Sequence, residues 1–316
     1  MKFEKDAMDM IDVTLLGCGG GMPLPGRYLS ATLIAYQGRK ILIDCGEGTQ
    51  VSMREINAGF KTIDVICITH IHGDHIIGLP GLLGTMGNSG RVDPVIIIGP
   101  DGIKEAIDAA RVIAKYLPYE ITVLENPNRA VEIKNQYIKG EVTILTHLAD
   151  HSAPCLAYQI NVARKPKFDI EKATQNQVPK ILWSRLQKTN DPIVFEGKSY
   201  HPDLVIGEIR RGLKVCLVTD TRPIPSLIAF INQSDLFICE GTYGPDTDIE
   251  KAIQNKHMTF KEAATLAKEG NVKQLLLTHF GAAMPQPTDY VSYAKEVFEQ
   301  TIIGENHLKL NLSFEN

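Results

Sequence analysis

The stretch Ile66–Leu83, "ICITHIHGDHIIGLPGLL", places three histidines and an aspartate within six positions, directly behind an apolar run. His70 and His72 stand at strand-like spacing and project to one side as the chain leaves that run. Gly73 is expected to permit a sharp bend, after which Asp74 and His75 approach from the following turn. Such groups are costly to bury without partners. Their mix of nitrogen and oxygen donors suits zinc, with two imidazoles on one ion and Asp74 and His75 on a second nearby.

A dinuclear site needs further ligands, and other strand ends offer them. "EVTILTHLADHS" (141–152) carries His147 and His151, "KVCLVTDTRP" (214–223) closes on Asp220, and "QLLLTHFG" (274–281) closes on His279. Three apolar runs that each end in His or Asp argue for one convergent site.

Outward from these motifs, short β-rich runs ("IDVTLLG", "ATLIAYQG", "KILIDCG", "PVIIIGP") follow one another with brief turns. Later runs are separated by helical patterns. In "TFKEAATLAKEG", Phe260, Ala263, Ala264 and Leu266 or Ala267 recur at helical spacing. This order predicts two sheets with outer helices rather than a doubly wound repeat. The six cysteines form no CxxC pair and read as reduced residues, three of them within apolar runs. A net charge of −4 excludes a generally basic nucleic-acid binder. The opening "MKFEKDAMDM" has no apolar leader and no run is long enough to cross a bilayer, so a cytoplasmic protein without membrane partners is expected. One segment stands apart: Arg164–Lys214 holds 11 Lys/Arg against 6 Asp/Glu, while the remainder holds 22 against 31. It reads either as a solvated excursion or as an arm that meets phosphates.

These motifs together resemble the ribonuclease Z family, the tRNA 3′-endonucleases of the metallo-β-lactamase fold. The resemblance runs from "GCGGGMPLPGRYLSATLI" and "ILIDCGEGTQ" through "THIHGDHIIGLPGLL", "DHSAPCLAYQI" and "VTDTRP" to "CEGTYG", "KHMTFKEAA" and "LLLTHF". It implies an α+β fold, an αββα sandwich of two mixed sheets flanked by helices, as one domain over 1–316 with an inserted basic arm within about 164–214. It also implies two zinc ions per subunit, with manganese as the alternative. His70, His72 and His151 would serve one ion, Asp74, His75 and His279 the other, and Asp220 both. His151 is preferred to His147 because "HSAPCLAY" matches the family's segment after its ligand histidine.

The implied activity is two-metal hydrolysis of a phosphodiester, removing the 3′ trailer from precursor tRNA, in a homodimer. Asp74 would orient the nucleophile, and His257, oriented by Glu240, would contact the scissile phosphate and serve the leaving oxygen. Read alone, His257 is a surface histidine and Glu240 a strand-end carboxylate. "GCGGGMP" fits neither the P-loop nor the Rossmann spacing and is expected to be a tight turn. Asp44 is expected to accept a hydrogen bond from a ligand imidazole. The chain departs from the family in three places: "VPKILW" replaces the arm's glycine-proline signature, "THFGAAM" lacks the usual arginine, and Thr219 precedes Asp220 in place of glycine. These departures bear on the substrate, so the alternatives are a smaller phosphodiester and a non-catalytic binding protein.

Overall fold

Apolar runs too short for helices and rich in branched residues, such as Ile63–Cys67 and Val95–Gly99, become strands buried on both faces. The structure, a computed structural model, describes residues 10–134, 141–189 and 191–315. Residues 1–9 of the opening stretch, and Asn190 within the basic segment, lie outside them.

Two seven-stranded sheets form the body. The first runs in the order Lys309–Ser313, Met10–Gly17, Ala31–Tyr36, Arg39–Ile43, Ile63–Cys67, Val95–Gly99 and Ile121–Glu125. Its first four strands are antiparallel neighbours and the rest join in parallel. The second runs Thr301–Ile303, Leu275–Thr278, Leu236–Glu240, Leu213–Val218, Leu156–Val162, Val142–Leu148 and Val131–Glu132. It too joins a parallel half to an antiparallel half. These are the two sheets with outer helices that the order of runs predicts, in the mixed αββα arrangement that the family resemblance implies.

Alternation of side chains across each strand sets which core a residue enters. Ile41, Ile43, Val65, Cys67 and Ile98 face the shared core between the sheets, together with Val215, Leu217, Ile238 and Leu276. Leu42, Ile66, Ile68, Val95 and Ile97 face the other way, under the helices Leu79–Asn88 and Ile103–Ile113. On the second sheet, the helix Phe260–Glu269 buries Phe260, Ala263, Ala264, Leu266 and Ala267, the stripe its spacing predicts. A capping box between Thr259 and Glu262 fixes its start. All six cysteines are free and buried.

The basic segment leaves and rejoins the body through a paired neck. Lys167 N–H donates to Glu208 O and Gly207 N–H donates to Lys167 O, 3.0 and 2.8 Å. Beyond the neck, Ala173, Val178, Leu182, Leu186, Tyr200 and Val205 form a small core of their own. Trp183, the only tryptophan of the chain, packs against Phe168 there. Lys172, Lys180, Arg185, Lys188 and Lys198 remain exposed. Because this core and the body's cores share no residue, replacing 168–206 by a two-glycine turn should leave the body's thermal unfolding transition cooperative and displaced by no more than about 5 °C. Calorimetry of the shortened chain checks this.

Candidate metal centre

Every candidate ligand except His147 arrives at the C-terminal end of a strand, at one edge of the sandwich. His70 and His72 follow Ile63–Cys67, and Asp74 and His75 lie on the one-turn helix Gly73–Ile76. The bend expected at Gly73 is made by His72 in extended conformation and the one-turn helix that begins at Gly73, with no left-handed residue. Asp220 and His279 each sit just beyond a strand and are left-handed (φ 51° and 57°), as is Asp44 (φ 61°). Non-glycine residues seldom adopt this conformation, and it costs of order 1–3 kcal/mol where it persists.

The side chains converge in two groups that share Asp220. His72 Nδ1 lies 3.0 Å from His70 Nε2 and 3.3 Å from His151 Nε2, and Asp220 Oδ2 lies 3.6 and 3.9 Å from those two Nε2 atoms. In the second group His75 Nε2 and His279 Nε2 are 3.1 Å apart. Asp74 Oδ2 is 3.4 and 3.3 Å from them, and Asp220 Oδ1 3.5 and 3.2 Å. His147 stands apart, bonded to Ser226 at 2.8 Å and stacked on Phe230.

Outer partners fix which ring nitrogen points inward. Asp44 Oδ2 accepts from His75 Nδ1 at 2.8 Å, the role expected of it, and from Thr69 Oγ1–H at 2.9 Å, while Asp44 Oδ1 accepts from Thr69 N–H at 2.8 Å. Since Thr69 gives its proton to Asp44, its oxygen accepts from His70 Nδ1 at 3.1 Å. Thr242 Oγ1–H donates to Glu240 Oε2 at 2.6 Å, which makes its oxygen the acceptor for His279 Nδ1 at 3.1 Å. Lys256 O accepts from His151 Nδ1 at 3.3 Å. With these Nδ1 atoms occupied, the Nε2 lone pairs of His70, His75, His151 and His279 all turn inward beside two carboxylates. So many acceptors in contact repel one another unless a cation stands among them. Imidazole and carboxylate donors in this ratio fit a divalent metal.

The electrostatics divide the rings: His70 and His151 are kept neutral, while His75 holds a proton among the carboxylates. Burial pulls His70 down to about 2 and also lowers His151. Burial opposes protonation of His75, but Asp220 and Asp44 outweigh it and hold the ring well above its ordinary value. Asp74 and Asp220 are lifted by burial yet lie below the usual carboxylate range, because the surrounding imidazoles favour their charged forms.

His257 adjoins this centre. Its Nδ1 donates to the buried Glu240 at 3.0 Å and lies 4.0 Å from Asp220. Burial lowers its pKa, while Glu240 and then Asp220 raise it to about 9. Arg222 holds the His257 carbonyl and pairs with Glu262, fixing the loop. Met258 N–H also donates to Glu240, at 3.1 Å.

Two contributors were not legible as such in the sequence. The glycines of "GCGGGMP" are more than a turn: Gly19–Gly20 pairs in parallel with Phe280–Gly281, and Gly21 N–H donates to Asp74 Oδ2 at 2.7 Å. A Cβ on Gly20 would come within 2.4 Å of the His279 ring. Thr242, within "CEGTYG", joins the Glu240–His257 pair to His279 through one hydroxyl. The only hint was that both stand beside a motif already singled out.

A family profile described as "Anti-Pycsar protein Apyc1" matches residues 11–107. Ribonuclease Z of Clostridium beijerinckii is 62% identical over 305 residues, 96% of this chain and 99% of that protein. Among solved structures, the metallo-β-lactamase-fold protein YhfI of Bacillus subtilis superposes with a TM-score of 0.68 at 20% identity, covering 96% of this chain and 100% of that one. The short form of human tRNase Z gives 0.66 at 23%, covering 95% and 98%. At such identities the two structures establish the metallo-β-lactamase fold.

Gly20→Ala should displace His279 and lower metal affinity by about 10- to 100-fold, the usual cost of disturbing what supports a ligand. Titration of the metal-free protein with zinc, followed by calorimetry, reads this directly. Unchanged affinity would mean that the ring has room to move.

Proposed function

The chain belongs to the ribonuclease Z family, and from that premise we propose a zinc endonuclease that cuts precursor tRNA at the base of its 3′ trailer. It is a metal-dependent hydrolase of tRNA 3′-end processing. In this reading one phosphodiester is hydrolysed, leaving a 3′-hydroxyl on the tRNA and a 5′-phosphate on the trailer.

The observation that carries the reading is the position of Asp220, whose two carboxylate oxygens face different imidazole groups. We assign His70, His72 and His151 to one zinc, Asp74, His75 and His279 to the other, and Asp220 to both. When bound, the pair supplies positive charge against a phosphoryl group and makes hydroxide available near neutral pH. Asp74, steadied by the Gly21 amide, orients the attacking water and accepts its proton. His257 has Nδ1 tied to Glu240, which leaves Nε2 to donate a proton to the departing 3′ oxygen. Glu240 keeps that ring oriented and its charged form favoured. The working unit is a cytoplasmic homodimer with two zinc ions per subunit. The basic arm, exposing Lys172, Lys180, Arg185, Lys188 and Lys198, holds the tRNA away from the metals.

A precursor-tRNA assay with mapped product ends tests the assignment. Cleavage should stop with a chelator and return with zinc. If a small diester is turned over while precursor tRNA stays intact, the substrate is a smaller phosphodiester. His257→Ala should lower kcat by about 100- to 10,000-fold without changing the metal content of the protein; a loss of metal in parallel would make His257 a ligand instead. Removing 168–206 should raise KM for precursor tRNA and flatten its salt dependence, because phosphate contacts are lost. Equal damage to hydrolysis of bis-p-nitrophenyl phosphate would make the arm structural.

A further inference from the structure

Next to the centre, on the side of His257 and His279, lies a cleft of about 360 Å³ that neither metal ligation nor proton transfer uses. Its volume is within the usual range for small-molecule sites, about 300–1,000 Å³. Thr242 is the shared wall: it lines the cleft, and its Oγ1 lies 3.3 Å from His257 Nδ1 and 3.1 Å from His279 Nδ1. Two aromatic rings line the cleft, Tyr243 and Tyr290. The small-residue segment Gly281–Ala282–Ala283 lines it as well. The Tyr243 ring centroid is 6.3 Å from that of His257, and Asn255 Nδ2 donates to its hydroxyl at 2.6 Å. The tyrosine is therefore held in place before anything binds. Gly244 leaves room for the second ring, since a Cβ there would meet Tyr290 at 2.4 Å. Lys251 also lines the cleft, paired with Asp248 at 2.6 Å, and its side chain is 67% exposed. Such an exposed pair is weak, so the ammonium can turn to an incoming anion.

Aromatic surface, small residues, a cation within reach and contiguity with a phosphodiester-cleaving centre describe a nucleotide site. Proteins read unpaired RNA by stacking its bases on aromatic side chains, while cations meet the phosphates. We propose that this cleft receives an unpaired nucleobase adjoining the scissile phosphate, stacked on Tyr243, with the next phosphate met by Lys251. This rests on the nuclease reading above and adds to it a subsite that seats the RNA strand where cleavage occurs. Tyr243 acts here in positioning rather than in proton transfer.

The test measures kcat/KM on three precursor tRNAs: one unmodified, one abasic at the nucleotide 5′ to the cut, and one abasic at the nucleotide 3′ to it. Wild-type protein should lose about 5- to 150-fold on one abasic substrate, the range that base–aromatic stacking supports. Tyr243→Ala should lose a similar factor on the unmodified RNA and little more on that same abasic RNA. Tyr243→Phe, which keeps the ring, should recover most of the rate. Wild-type indifference to both abasic substitutions overturns the proposal without recourse to any variant. So does a Tyr243→Ala penalty of equal size on all three RNAs. If wild-type protein leaves unmodified precursor tRNA uncut, the nuclease reading itself has failed. A protein that cuts it but shows no coupling refutes only the cleft.

Discussion

Repulsion among inward-facing lone pairs is the constraint on which this molecule is organised. His75 and His279 bring their Nε2 atoms to 3.1 Å of each other, with oxygens of Asp74 and Asp220 at 3.2–3.5 Å. With their outer nitrogens turned to Asp44 and Thr242, a proton or a metal ion has to stand among these inner atoms. Such an arrangement is unstable by itself and becomes favourable only around positive charge. The fold must hold the repelling groups together before that charge arrives, and the two-sheet body has the rigidity to do so.

Much of that rigidity comes from ties between the sheets close to the site. Tyr158, on the second sheet, donates its hydroxyl to Ile68 O at 2.7 Å, and Leu156 N–H donates to Thr69 O at 2.8 Å. The chain segment that enters His70 is thereby fixed from across the core. Thr69 then passes the constraint on, giving its amide and hydroxyl protons to Asp44 while accepting from His70. One buried threonine and one buried aspartate settle the orientation of two rings, His70 and His75, from the two side-chain groups. The same design recurs on the opposite side, where Thr242 serves Glu240, His257 and His279. In both places a hydroxyl is used because it donates once and still accepts, which neither an amide N–H nor a carboxylate can do.

What the sequence disclosed follows from which interactions are local. The convergence of the candidate ligands was legible because a chain seldom sets groups so costly to bury at the ends of apolar strands unless something there compensates them. Strands buried on both faces announce themselves as continuous runs. The helix Phe260–Glu269 was legible for the same reason, its stripe and capping box lying within a dozen residues. Gly20, Gly21 and Thr242 were not, because their roles depend on contacts with residues tens to hundreds of positions away. A glycine that leaves room for His279 across 259 positions reads, in one dimension, as a turn. The bend expected at Gly73 is there, as a helical turn that starts at this residue without a left-handed backbone.

The left-handed backbone at Asp44, Asp220 and His279 shows how the structure tolerates its own centre. Each follows a strand whose last residues are wholly buried, Ile43, Val218 and Leu277 among them. A strand running on in extended conformation would carry the next side chain alternately up or down with the pleat. A single left-handed residue breaks that alternation and turns the side chain over the sheet edge, where side chains from both sheets can meet. The conformation costs about 1–3 kcal/mol at each position, and burial of the preceding apolar residues offsets it at about 25 cal/mol per Å². The cores between and outside the sheets therefore have a second task besides cohesion: they hold three backbone positions in a geometry the isolated chain would avoid, and the candidate ligands converge as the result.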